Sequence, residues 1–404
     1  MNELSIRAAA GDSGDRPAII TPARTWTFGE CARLIRRSDS TLVATTEVQT
    51  ILKIYSALES ERPVALLHAK MSYEDQQRQR VMVEAAPLPP GSAFVLFTSG
   101  STGEARGVVL SRTAIMAAAL ASESRLGWRA DDAWLLALPL AHAGGLSIVV
   151  RCLIARRPIV LVEREGDLAT MLPRATLASF VPAQLEALVG KADPAKLRAI
   201  ILGGAAAAPA LIERALAANW PVLASYGLTE TFGQIATAKT PGGPLELLPG
   251  VEVTCDETIA IRAPQLATAY LDGTPIAPRL VTPDLGRLDA DGTLHVLGRR
   301  DDVIISGGEK IHPLEVEAVL AATPGVSAAC AFALPDAKWG SIVGAAVATT
   351  AAFDRGAALA AWHRALPPFA RPRRLAALAT LPALPSGKLD RRAIAALATE
   401  PVDY

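Results

Sequence analysis

The sequence predicts an α/β fold: a large N-terminal domain of several sheets with a β-rich subdomain, followed by a small α+β C-terminal domain. Three changes of texture along the chain carry this expectation. Short apolar and β-branched runs, AFVLF (93–97), RPIVLV (157–162), RAIILGG (198–204) and PVLASYG (221–227), alternate with alanine-rich helical stretches. That rhythm is expected of buried strands layered with helices. From 251 onward, VEVTCDETIAIRAP, GTPIAPRLVTPD and GTLHVLGRR read as short strands with tight turns, a smaller β unit. After 300 a helix is expected to start at Pro313 (HPLEVEAVLAA). Strands follow in SAACAFAL and IVGAAVA, then a further helix, and the chain closes in LPSGKLDRRAIAAL. The change near 299–302 divides an N-terminal domain, 1–298, from a C-terminal domain, 299–404.

With 404 residues the chain has room for two or three domains and sizeable cores. Its 40 Lys+Arg balance 40 Asp+Glu, which counts against a nucleic-acid binder or a polybasic membrane anchor. A 50% hydrophobic and 20% charged composition excludes a disordered chain. The cysteines Cys31, Cys152, Cys255 and Cys330 form no CxxC pair, as expected in a reducing cytosol. MNELSIRAAAGDSGDRP carries early acids and no apolar run, so no signal peptide is expected. The stretch 133–150 lacks formal charge, but Pro139, His142 and the pair Gly144-Gly145 interrupt it, which argues against a membrane span. A cytoplasmic protein with small-molecule partners, touching neither nucleic acid nor membrane, is the expectation. Its oligomeric state stays open, with a homodimer as one candidate.

Several strands run straight into glycine- or hydroxyl-rich turns, where α/β sheets place their ligands. The sharpest case follows AFVLF: Thr98, Ser99, Gly100, Ser101, Thr102 and Gly103, with Arg106 close behind. Glycines let backbone N–H groups turn inward around an anion, hydroxyls add donors, and an arginine can fork onto phosphate oxygens. No Walker A pattern is present. Alone, this composition favours a flexible Ser/Gly surface turn. Further along come Tyr226-Gly227-Leu228-Thr229-Glu230-Thr231, then Thr282-Pro283-Asp284-Leu285-Gly286. After them come Gly298-Arg299-Arg300-Asp301-Asp302 and Pro385-Ser386-Gly387-Lys388-Leu389-Asp390. In this order and spacing, from about residue 16 to the end, the chain resembles the adenylate-forming (AMP-binding) superfamily of acyl- and aryl-CoA synthetases. LPLAHAGGLSIVVRCL, SFVPAQLEALV and ILGGAAAAPALIERA look most like the o-succinylbenzoate–CoA ligases of menaquinone synthesis.

The resemblance implies ATP, Mg²⁺ and coenzyme A, and a C-terminal domain that rotates between two half-reactions. Joining a carboxylate to CoA through an acyl-adenylate brings one anion onto another, so positive charge must be in place beforehand. Lys388 matches the family lysine that bridges the acyl carboxylate and the phosphate. Glu230 matches the magnesium ligand, with Thr229 against the phosphates and Tyr226 and Gly227 near the adenine. Gly203, Gly204 and Ala205 would form the wall beside adenine and acyl group. Asp284 would hold the ribose hydroxyls, with Arg299 as its cationic companion, and Asp301 matches the hinge. Gly307 and Gly308 would open a pantetheine path that Trp339 lines, with Lys310 and the arginines at 371–374 as candidates for the CoA phosphates. His142, Gly144 and Gly145 would line the acyl pocket, joined by Phe180, Val181 and Gln184. Arg151 is the candidate anchor for a second substrate carboxylate. Taken singly, a Gly-Lys near a C-terminus, an Asp or Arg in a turn, a lone His or a Trp in AKWG also fits a solvated or core position.

The family loop usually carries Pro-Lys where this chain has Ala105-Arg106, which replaces a mobile point charge with a planar fork. The stretch 37–91 is expected to have lost elements that larger relatives carry. Two other readings remain beside an acid–CoA ligase. One is an adenylating enzyme that loads a separate carrier protein. The other is a degenerate nucleotide- or acyl-binding regulator, against which the retention of Lys388, Glu230, Asp284, Arg299 and Asp301 argues.

Overall fold

The computed structural model describes residues 3–36, 39–99, 105–194, 196–384, 389–397 and 399–402. The chain divides into two compact units, one comprising Met1–Gly204, Ala215–Val253 and Ile261–Leu280, the other Ala205–Arg214, Thr254–Ala260 and Val281–Tyr404.

The first unit contains two sheets. In the larger, six parallel strands lie in the order Val222–Leu228, Ala199–Leu202, Leu177–Phe180, Trp134–Leu136, Ile159–Leu161 and Pro17–Ile20. Antiparallel strands Gly233–Thr237 and Thr25–Thr27 close its two edges. The central strands are three to four residues long and buried on both faces, which is why they read as unbroken apolar runs rather than alternating ones. Parallel neighbours end at the same edge of the sheet. The turns after Leu136, Phe180, Leu202 and Leu228 are therefore gathered along one rim, the usual ligand edge of an α/β sheet.

The second sheet of this unit runs Ala269–Tyr270, Ala105–Ser111, Ser92–Ser99, Val64–His68, Thr41–Ala44. Ser92–Ser99 and Ala105–Ser111 form an antiparallel pair in which Thr98 faces Arg106 and Phe97 faces Gly107. Between 39 and 91 the chain also builds the helices Val48–Glu59 and Tyr73–Ala85. The uncharged stretch 133–150 is split between the strand Trp134–Leu136 and the helix Ala143–Ala155. Among the described residues no helix is long and apolar enough to cross a membrane.

The second unit holds strands Val326–Asp336, Gly340–Thr349, Arg374–Leu378 and Glu400–Pro401 in one sheet. The helices Pro313–Ala321 and Arg355–Ala365 bury Val316, Leu320, Ala358 and Trp362 in its core. Pro313 opens its helix where a missing N–H costs nothing. Arg391 ties this unit together: it forks onto Glu317 at 2.6 and 3.0 Å and lies 3.5 Å from Asp302. The β-rich texture seen from 251 is the sheet Glu252–Asp256, Thr258–Arg262, Leu280–Leu288, Leu294–Arg299.

Candidate functional site

At the rim of the first unit's large sheet, the strand Val222–Leu228 passes into the short turn Thr229–Thr231. The Thr231 hydroxyl oxygen braces that turn, 3.1 Å from the Leu228 carbonyl and 2.7 Å from that of Gly233. Thr229 and Glu230 are left half-buried at the strand end. The Tyr270 hydroxyl donates to Glu230 Oε1 at 3.0 Å. Burial, and then the charge of Glu230, push the Tyr270 phenol up to about 12, so it stays protonated and remains the donor. Arg106 lies over the Tyr270 ring, its guanidinium carbon 3.6 Å from the centroid, and its Nη2 sits 3.3 Å from Asp272 Oδ2. Thr98 faces Arg106 across the strand pair. Gly100, Ser101, Thr102 and Gly103 lie outside the described residues, as does the side chain of Ser99.

Next along the rim, the Gly203 N–H donates to the Phe180 carbonyl at 3.2 Å. Gly203 and Gly204 thus leave the strand Ala199–Leu202 beside Tyr226, which lies on the neighbouring strand Val222–Leu228. Gly227 pairs with Gln234 on the far side of that strand. Ala205 is exposed and belongs to the second unit. Phe180 is buried in the core, and the Gln184 amide is engaged at both ends, donating to the Ala137 carbonyl at 2.8 Å and accepting from Val181 N–H at 3.2 Å.

The segment after Leu136 turns into the helix Ala143–Ala155 with His142 at its N-cap. Gly145 permits this turn. An added Cβ would lie 2.4 Å from the Pro139 carbonyl oxygen and 2.7 Å from that of Leu138, both fixed backbone. Gly145→Ala is therefore expected to destabilise the protein by about 1–3 kcal/mol, the usual cost of overpacking, measurable as a lowered unfolding midpoint. The His142 ring lies 5.1 Å from that of His68. His68 accepts the Lys70 N–H on Nδ1 at 3.1 Å, and burial depresses its pKa, so it is neutral at pH 7.

Arg151 lies in the same helix, 4% exposed. Its Nε has no hydrogen-bond partner and no carboxylate pairs with it among the described residues. Its guanidinium carbon stands 5.3 Å from the Trp134 ring centroid. Burial pulls its pKa down to about 10, still high enough to keep the charge at neutral pH. A buried cation with no carboxylate partner among the described residues is costly.

In the second unit, Asp284 and Arg299 are direct partners across the strands Leu280–Leu288 and Leu294–Arg299. Asp301 sits in the turn Arg300–Asp302 immediately after them. Gly307 and Gly308 have φ of 59° and 90°, and the Gly307 N–H donates to the Trp339 carbonyl at 2.9 Å. A Cβ on Gly307 would come within 2.7 Å of the Trp339 ring. Trp339 is 39% exposed, which removes the core reading of that residue. Lys338 and Arg373 flank its ring at 4.8 and 5.7 Å. Of the other basic candidates, Lys310 is exposed, while Arg371 and Arg374 hold the Leu366 carbonyl and Thr399 Oγ1. Lys388 lies outside the described residues, as do Pro385, Ser386 and Gly387.

Residues 17–261 match the family model of the AMP-binding enzyme, and residues 315–388 that of the AMP-binding enzyme C-terminal domain. The chain belongs to the AMP-binding enzyme family. A 2–succinylbenzoate–CoA ligase of Listeria monocytogenes serotype 4b (strain F2365) is 31% identical over 381 residues, 89% of this chain and 81% of the relative. The o-succinylbenzoate CoA synthetase of Bacillus subtilis, solved with its acyl-adenylate intermediate, superposes with a TM-score of 0.86 at 26% identity, covering 99% of each chain. The same Bacillus subtilis enzyme with ATP and a magnesium ion gives a TM-score of 0.82 at 26% identity, covering 97% of this chain and 98% of that one.

Within this AMP-binding enzyme the donor set suits magnesium. Among the described residues no group of three or more His, Cys, Asp or Glu could hold a metal ion. A Mg²⁺ bound with ATP can take one hard carboxylate and complete its octahedron with phosphate oxygens and water, and the half-buried Glu230 at the strand end is a carboxylate of that kind. Tyr270 engages Glu230 Oε1 only, and no other hydrogen bond to its carboxylate is present among the described residues. Tyr270, Asp272 and His68 did not stand out in the sequence. AYLDG (269–273) follows no chemical pattern by itself, and its partner Glu230 is 40 residues away.

Proposed function

We propose that the chain is an ATP-dependent acid–CoA ligase acting on o-succinylbenzoate. It would form the acyl-adenylate with release of pyrophosphate, then the CoA thioester with release of AMP. The observation that carries the substrate is Arg151, a buried guanidinium with no carboxylate of its own among the described residues. A monocarboxylic acid leaves such a charge unpaired. A dicarboxylate presents one group for activation and a second to be held by a charge-assisted hydrogen bond. The related proteins described above act on such an acid, which supports the same choice here.

In this reading the Thr98–Gly103 hydroxyls and N–H groups grip the triphosphate, with Arg106 behind them. Gly203, Gly204, Ala205, Tyr226 and Gly227 flank the adenine and acyl group, and Asp284 with Arg299 takes the ribose. Lys388 supplies the positive charge where carboxylate and α-phosphate meet, and Thr229 assists at the phosphates. A magnesium ion held by Glu230 would neutralise charge on the phosphates. Asp301 serves as the hinge between 1–298 and 299–404. Gly307, Gly308 and Trp339 line the pantetheine path, while His142, Gly144 and Gly145 shape the acyl pocket. The partners are then the acid, ATP and CoA, met in the cytoplasm.

A panel of o-succinylbenzoate, plain benzoates and fatty acids, followed by CoA consumption, tests the substrate. The highest kcat/KM is expected for o-succinylbenzoate. A benzoate or fatty acid that outperforms it removes Arg151 from the role of anchor and leaves an acid–CoA ligase of another specificity.

A further inference from the structure

Glu230 is half-buried at the end of a strand, with a flexible side chain and one hydrogen-bonded oxygen. That bond comes from Tyr270, whose own position is over-determined. Its backbone pairs with Val108 on the strand Ala105–Ser111. The N–H of the next residue, Leu271, donates to the Gly107 carbonyl at 2.7 Å. The Arg106 guanidinium covers its ring at 3.6 Å, and Asp272 Oδ2 lies 3.3 Å from Arg106 Nη2. The planar arginine stacks where an ammonium group would have no flat face to offer. Glu230 is anchored at its backbone as well, its carbonyl accepting the Ala267 N–H at 2.7 Å.

We infer that Tyr270 is a positioning residue for the metal ligand. Clamped between strand pairing and Arg106, it fixes Glu230 Oε1 and so presents Oε2 to Mg²⁺. Arg106 serves this clamp in addition to its position behind the phosphate loop. The inference rests on the reading of Glu230 as the magnesium ligand. A hydroxyl that orients a ligating carboxylate acts from the outer shell of the metal, and loss of such a partner typically weakens metal affinity by about 10–100-fold.

The test compares calorimetric ATP binding in MgCl₂ and in EDTA, for the full chain and for Tyr270→Phe and Glu230→Gln. Phenylalanine keeps the ring under Arg106, so the fold is expected to be preserved. Tyr270→Phe should bind ATP as the parent does in EDTA and about 10-fold more weakly in MgCl₂. The Mg²⁺ concentration that half-saturates pyrophosphate exchange should rise by a similar factor. Glu230→Gln should lose the Mg²⁺-dependent part of binding. Parent-like binding by Tyr270→Phe under both conditions, or equal weakening under both, overturns the positioning role. If Glu230→Gln also binds MgATP as the parent does, the assignment of Glu230 falls and this inference falls with it. A loss in Glu230→Gln alone removes only the part given to Tyr270.

Discussion

Lys388→Ala is expected to slow adenylate formation by a factor on the order of 10²–10³ or more, the scale for removing one preorganised electrostatic donor. The size follows from the charges. The acyl carboxylate and the α-phosphate are both anions, and the approach of one oxygen to phosphorus is opposed until a cation sits between them. A lysine ammonium is a compact point charge that can contact both at once. Thiol attack on a finished adenylate separates charge differently and needs no such bridge. Thiolation of supplied acyl-adenylate should therefore be largely spared while carboxylate-dependent ATP–pyrophosphate exchange collapses. Undiminished exchange in the variant would remove Lys388 from the mechanism.

Arg151→Met is expected to act in opposite directions on catalysis and stability. Truncating one partner of a buried, hydrogen-bonded charge pair costs about 2–5 kcal/mol, so kcat/KM for o-succinylbenzoate should fall on the order of 10²–10³-fold. An acid with a single carboxylate should be affected far less, because it never meets the guanidinium's charge. Meanwhile the variant removes a cation that is 4% exposed and has no carboxylate partner among the described residues. Methionine fills similar space with a flexible apolar chain, and relief of the burial penalty should raise the unfolding midpoint. A parallel loss with every acid, or a lowered midpoint, would make Arg151 a structural residue of its helix rather than a substrate anchor.

Several of the expected site residues were legible because each group is contiguous in the chain and follows a strand. Thr229 and Glu230 stand at the end of Val222–Leu228, Gly203 and Gly204 at the end of Ala199–Leu202, and the turn to His142 after Trp134–Leu136. A parallel sheet then brings those ends to one rim. The sequence likewise foretold the helix opening at Pro313 and short strands leading to Asp284 and Arg299, whose mutual pairing the structure supplies. It left Phe180 among the acyl-facing candidates, whereas the strand turns that ring into the core. Trp339, open to either reading in the sequence, is exposed beside Gly307.

The sequence by itself determined the α/β class, the order of the motifs and the chemical types available at each. Those properties depend on apolar runs, glycines and neighbours along the chain, which act locally. Only the tertiary structure decided that Arg106 is clamped on Tyr270 and Asp272, that Tyr270 reaches Glu230, that His68 meets His142, and that Arg151 is buried with no carboxylate partner among the described residues. Each of these is set by strand register and burial between residues far apart in the chain. Side-chain electrostatics depend on who the neighbours are and how much water remains, and neither is written in the order of residues along a segment.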